Sequence, residues 1–256
     1  MLKVFSSQKF WAIFILVLFI ASPANSARIK DLTSIQGVRS NQLIGFGLVI
    51  GLTGTGDSAT NVFFSIQTIV SMLKRLGVTV PTAEVDQLKF KNIATVIVTA
   101  DLPPFSKQGD YIDVTVSSLG DSKSLQGGTL LMTPLKGPDG NTYGLAQGPL
   151  SIGGFSVAGA ARGVQKNHVT VGRIANGAQV EKEIKYDFNS KEEIILALKK
   201  TDFTTASRIS KAINDDMKDS LASMVNGGTV RVKVPEFYLK NTSGFVTRIE
   251  SLNVTP

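Results

Sequence analysis

Between residues 43 and 52 apolar side chains alternate with glycine (Leu43, Gly45, Gly47, Val49, Gly51), a pattern that suits a strand running close to another backbone. The period then changes. Val62, Phe63, Ile66, Ile69, Val70, Leu73 and Leu76 form one stripe at helical spacing over 61–76. Lys74 and Arg75 lie in the last turn of that segment and Gly77 follows, as a helix C-terminus prefers. At 93–100 the run IATVIVTA is β-branched and nearly continuous, predicting a strand covered on both faces. Asp101, Leu102, Pro103 and Pro104 stop it, and 111–117 resumes with Ile112, Val114 and Val116 on one side. Two more strands, 130–135 and 142–146, flank Gly137-Pro138-Asp139-Gly140, which reads as a hairpin turn.

Residues 148–177 are rich in glycine and small side chains and lack the punctuation that fixes a register. A long segment of this kind is a functional or partner-ordered loop, or else mobile. Beyond it Val180, Ile184 and Tyr186 alternate with charges and predict a strand. The run 194–198 suits a strand better than a helix, although Ser190 and Glu193 have the spacing of a capping box. Ile209, Ile213, Met217, Leu221 and Met224 predict one amphipathic helix over 204–225, closed by Gly227-Gly228. A strand at 229–234 and a short helix through Phe245, Ile249 and Leu252 follow. The expected class is α+β: a mainly antiparallel sheet region with one packed helix, then a small strand-helix-strand-helix layer unit. The expected division is a leader over 1–27, a sheet-rich domain over 28–177 that includes the 148–177 loop, and a small α/β domain over 178–256.

The first residues change where the folded chain begins. Lys3 and Lys9 precede an apolar stretch over 10–20, and small residues follow, which is the layout of a secretory signal peptide. The apolar stretch is about half of the ~20 residues a membrane-crossing helix needs. Cleavage after Ser26 or after Ala27 satisfies the small-residue rule. The expected location is therefore periplasmic, with no membrane span in the mature chain. Cysteine is absent, so no disulfide supports the fold. The formal net charge of +7, two of it in the leader, is scattered without a basic-aromatic stripe, which argues against a nucleic-acid partner and leaves an acidic protein surface open.

Candidate chemistry is sparse. In the stretch GFGLVIGLTGTGD, Gly56 precedes Asp57 and Ser58, where a Walker phosphate loop needs Gly-Lys-Ser/Thr. The dinucleotide fingerprint fails at Ile50, which stands where a glycine is required. The simpler reading is a turn whose glycines permit positive φ, with Asp57 near the start of the next helix. His168 is the only histidine, so no His-rich metal site or complete Ser-His-Asp set forms around more than one imidazole. Ser71 and Lys74 match Ser-x-x-Lys, but no Lys-Thr-Gly accompanies them, and the tetrad reads as helix surface. Asp215 and Asp216 are adjacent on one helix and point apart, as solvated charges do. No enzyme activity, metal or cofactor is expected.

The segments ARIKDLTSIQGVRSNQLIGFGLVIGLTGTGDS, NIATVIVTADLPPF, IDVTVSSLGDSKSLQGGTLLMTPL and TVGRIANGAQVEKEI resemble the flagellar P-ring protein family, and the likeness runs from Arg28 to Pro256. It implies a structural subunit that forms a large ring with copies of itself around the distal rod of the basal body. The ring lies at the peptidoglycan layer and makes a bushing with the L-ring. On that reading the glycines at 45, 47, 51, 54 and 56 serve close packing between subunits, and the 148–177 segment becomes ordered against a neighbour. The resemblance also places two lysines at family-like positions, Lys91 before the NIATVIV strand and Lys123 in the GDSKSLQGG loop. Both are expected to face the rod, because long-range attraction between opposite charges holds a turning shaft without gripping it. The family continues past the SLNV element, whereas this sequence stops at Pro256. The competing class, a periplasmic cell-wall binding module or hydrolase, needs a cleft with convergent polar groups, and no carboxylate pair or histidine cluster supplies one.

Overall fold

The computed structural model describes residues 26–58, 90–153, 169–184, 186 and 188–256. The chain forms two compact units, one joining the chain up to Val38 with Asp187–Pro256, the other Arg39–Tyr186. Residues 1–25 of the expected leader, the 61–76 helix with Ser71 and Lys74, and His168 lie outside the described residues, while Ala27, the last residue of that leader, lies in a β-strand.

The first described residues are short elements: β1 (Ala27–Arg28), α1 (Ile29–Leu32) and β2 (Thr33–Ile35). Then come the strands of the central unit: β3 (Asn41–Ile50), β4 (Ile93–Leu102), β5 (Tyr111–Ser118), β6 (Thr129–Lys136), β7 (Thr142–Pro149) and β8 (Val171–Val180). They close into a barrel in the order β3-β4-β5-β8-β7-β6, all neighbours antiparallel. Closure leaves no edge strand. Alternate residues point inward, and Val49, Val96, Val98, Val114, Val116 and Leu135 fill the interior.

Closure between β3 and β6 needs glycine. A Cβ on Gly47 would lie 2.3 Å from Thr133 Oγ1, and one on Gly45 would lie 2.6 Å from the carbonyl oxygen of Pro134. The register there shifts between Ile44 and Val49, as a bulged strand does. The backbone that these two glycines admit is this chain's own β6.

The remaining elements are β9 (Glu193–Leu198), α2 (Phe203–Met217), β10 (Ala222–Asn226), β11 (Thr229–Lys233), α3 (Thr242–Ser251) and β12 (Asn253–Val254). With the first three they make a second α+β unit. Its antiparallel sheet runs β10-β11-β9-β2, and β1 pairs separately with β12. Ile29, Ile194, Leu196, Ile209, Ile213, Val232 and Phe245 form its core. Asp202 caps α2, its carboxylate accepting from the Thr205 N–H at 2.6 Å, and the hydroxyl and N–H of Thr205 hold it below the usual aspartate range. Asn214 does the work of a neighbouring strand at the sheet edge. Its amide nitrogen donates to the Ala222 carbonyl at 2.9 Å and its oxygen accepts from the Ala222 N–H at 2.7 Å.

Several expectations from the sequence are corrected. The helix expected over 204–225 ends at Met217, because Lys218 turns into the left-handed region (φ 54°) and Ala222–Asn226 becomes β10. Gly227 and Gly228 make the β10–β11 hairpin, not a helix end. The strand expected from Val180, Ile184 and Tyr186 is not found among the described residues beyond Val180; the strand is instead β8, which ends there, so the C-terminal part of the segment read as a loose loop is barrel wall. The division drawn at 177/178 falls inside β8, and residues 28–38 fold with the C-terminal unit. Asp216 is also more than a solvated charge, since Arg248 Nε donates to it at 2.7 Å.

Candidate functional site

The antiparallel order gathers the 51–58 loop, the short 3-10 turn Phe90–Asn92 and the 119–128 loop at one mouth of the barrel. Gly51 (φ 84°) and Gly54 (φ 72°) hold the left-handed region, as the turn reading of these glycines requires. The loop then runs between the other two segments as a middle rung. On one side Leu52 N–H donates to Asn92 O at 3.1 Å, Gly56 N–H to Lys91 O at 2.7 Å and Asp57 N–H to Ile93 O at 2.8 Å. Gly54 N–H reaches Leu52 O at 3.1 Å and the Asn92 side-chain oxygen at 3.3 Å. On the other side Lys123 N–H donates to Thr55 O at 2.8 Å, and the Thr55 hydroxyl donates to Ser124 O at 2.8 Å. Ser58 closes the rung, its N–H donating to the Asp121 carboxylate at 2.8 Å.

Asp57 sits under this mouth at 1% exposure. Its carboxylate accepts the Thr95 N–H at 2.7 Å. The sequence pattern had placed it at a helix start, and nothing in that pattern signals a buried carboxylate. Two glycines make its position possible. A Cβ on Gly56 would lie 2.3 Å from Ile93 O, and one on Gly120 would lie 2.4 Å from the Asp57 carboxylate.

Lys91 and Lys123 are both exposed, and their backbones flank consecutive loop residues, Gly56 and Thr55. The structure thus brings the two lysines singled out from the sequence to the same mouth. Of the five glycines assigned to packing, Gly45, Gly47 and Gly56 are filled around by this chain, while Gly54 faces open space.

Elsewhere on the barrel, an open groove of about 870 Å³ lies where β4 and β5 diverge beyond Thr99 and Thr115. Asp113 in its wall is committed to Arg173 at 2.6 Å and to the Asn176 N–H at 2.9 Å, which together hold it below the usual aspartate range. Among the described residues no group of three or more His, Asp or Glu side chains is placed to hold a metal ion. No described helix is long and apolar enough to cross a membrane.

Residues 28–256 match the family model described as flagellar P-ring protein. The chain belongs to that family. Flagellar P-ring proteins among its relatives include that of Syntrophotalea carbinolica, 49% identical over 92% of this chain, and that of Nitrobacter winogradskyi, 50% identical over 93%. A third, from Geobacter sulfurreducens, is 48% identical over 97% of this chain and 67% of its own length. This P-ring family member spans 63% of the length of the first two.

Proposed function

We propose that the chain is a structural subunit of the flagellar basal-body P-ring. In this reading it is exported to the periplasm and assembles with copies of itself around the distal rod at the peptidoglycan layer, forming a bushing with the L-ring. The observation that carries the reading is the match of residues 28–256 to the flagellar P-ring family, with relatives about half identical across nearly the whole chain. A ring of identical subunits uses a head-to-tail interface that closes on itself.

Lys91 and Lys123 are the residues we assign to the rod-facing side. Both are exposed on one barrel mouth, and their charges attract an acidic shaft without interlocking with it. Exposed charge pairs contribute about 0.2–1 kcal/mol each, so no single contact is strong enough to stop a turning rod. Negative-stain microscopy of the purified mature chain, alone and with rod subunits, tests assembly: rings are expected, and a solitary particle at every concentration refutes the reading. Swimming assays of Lys91→Glu/Lys123→Glu test the surface separately. Reduced motility is expected, whereas normal swimming with normal rings removes the rod-facing assignment.

A further inference from the structure

We propose that Asp57 is a positioning residue. It fixes the turn bearing Lys91 and the loop bearing Lys123 to one central rung, so that the two ammonium groups act as a single cationic surface for an acidic protein partner. The partner half of this statement rests on the reading of the lysines given above; the clamp itself rests on geometry alone.

A buried carboxylate is costly unless the protein supplies hydrogen bonds in place of water. Asp57, at 1% exposure, accepts from Thr95 N–H at 2.7 Å while its own N–H donates to Ile93 O at 2.8 Å. Asp57 therefore grips β4 through both main chain and side chain, just beyond Lys91. Its two preceding residues divide the rest of the task, Gly56 N–H donating to Lys91 O and Thr55 O accepting from Lys123 N–H. The three segments lie side by side as rungs, and strand-like neighbours are spaced about 4.8 Å apart, so the backbones of the two lysines are about 10 Å apart. That matches the Debye length of about 10 Å at 0.1 M salt, and a partner charge feels both together. Gly120 preserves the arrangement, since a Cβ there would meet the Asp57 carboxylate at 2.4 Å.

The absence of cysteine makes the test direct. Nitroxide labels on Lys91→Cys/Lys123→Cys report the separation of the two sites through their dipolar coupling. A narrow distance distribution is expected in that chain, a broadened one after adding Asp57→Ala, and recovery with Asp57→Asn, which keeps an oxygen for Thr95 N–H. Gly120→Ala should broaden the distribution while leaving every charge in place, and it carries the test if Asp57→Ala does not fold. Equal widths in all of these chains overturn the clamp, whatever the lysines bind. In parallel, binding of poly-L-glutamate should weaken about threefold in Gly120→Ala, the loss of one exposed charge contact. It should weaken no further when Gly120→Ala is added to Lys91→Gln/Lys123→Gln. Unchanged binding in Lys91→Gln/Lys123→Gln overturns the partner half and is read independently of the label distances.

Discussion

Gly56→Ala is the sharpest probe of the barrel mouth. The added methyl would sit 2.3 Å from Ile93 O, 2.7 Å from Ile93 N and 2.7 Å from Lys91 O. All three are backbone atoms beside the start of a barrel strand, so none swings aside as the tip of a side chain does. Carbon contacts settle near 3.5–4.0 Å, and the loop must retreat by roughly 1 Å. Retreat breaks the Gly56-to-Lys91 and Asp57-to-Ile93 hydrogen bonds at 2.7 and 2.8 Å and stretches the Thr95 bond to the buried Asp57. At about 1 kcal/mol for each bond lost, and more for a buried group left short, the cost is roughly 3 kcal/mol. In a unit of this size that lowers the melting temperature by roughly 6–12 °C. Gly54→Ala is the matched control, because a Cβ there meets nothing within 4 Å and only the φ of 72° opposes it. It should cost about 1–2 kcal/mol. Calorimetry of both variants checks the order. A Gly56→Ala chain that melts within about 1 °C of wild type, or above Gly54→Ala, refutes the close-approach argument.

Phe245→Ala empties the centre of the second unit and should cost about 3–5 kcal/mol in urea unfolding. Asn214→Ala removes the acceptor of the Ala222 N–H and one of the two side-chain donors to its carbonyl, leaving the Ser210 hydroxyl at 2.8 Å, and should cost about 1–2 kcal/mol; urea unfolding in which it costs no more than an exposed surface substitution rules out the edge-capping role. Asp202 and Asp113 are held below the usual aspartate range, the first chiefly by the Thr205 hydroxyl and the second chiefly by the Asn176 N–H. A lowered folded value means the stabilisation is present above the ordinary aspartate value of about 4 and is lost as pH falls through the folded value, so the unfolding midpoint should decline from about pH 4 downward. Asp202→Asn keeps a capping oxygen and should flatten part of that decline with little change near neutral pH, as denaturation at stepped pH will report.

The strands with strong β-branched alternation, such as 93–100 and 111–117, were legible because their pattern belongs to the residues themselves. β8 was hidden because its inward positions include Gly172 and Ala178, and because its pairing with β5 shifts between Ile112 and Val114, which breaks the period. β10 is hidden behind the preceding helix because Leu221 and Met224, three apart, continue the helical stripe, while β10 itself is buried only at Ala222 and shows no alternation. Neither the barrel closure nor the joining of 28–38 to the C-terminal unit is a local property, and no local period carries it. The exposed lysines at the mouth were legible through resemblance alone. Asp57 was visible as a residue and invisible as a node, because burial of a charge is decided by segments far away in sequence.

The same node decides what the glycine-rich stretch is for. A phosphate loop works by aiming unspent backbone N–H groups at an anion. Here the N–H groups of Leu52, Gly54, Gly56, Asp57 and Ser58 are all spent on oxygens of this chain, and a buried carboxylate occupies the position beneath them. An anion would have to displace several internal bonds and then meet a negative charge. Gly56 and Gly120 are instead the small residues that let three segments of one chain lie against each other around Asp57. The exposed cations that the three segments carry are Lys91 and Lys123, and the contact proposed above is assigned to them and not to the loop backbone.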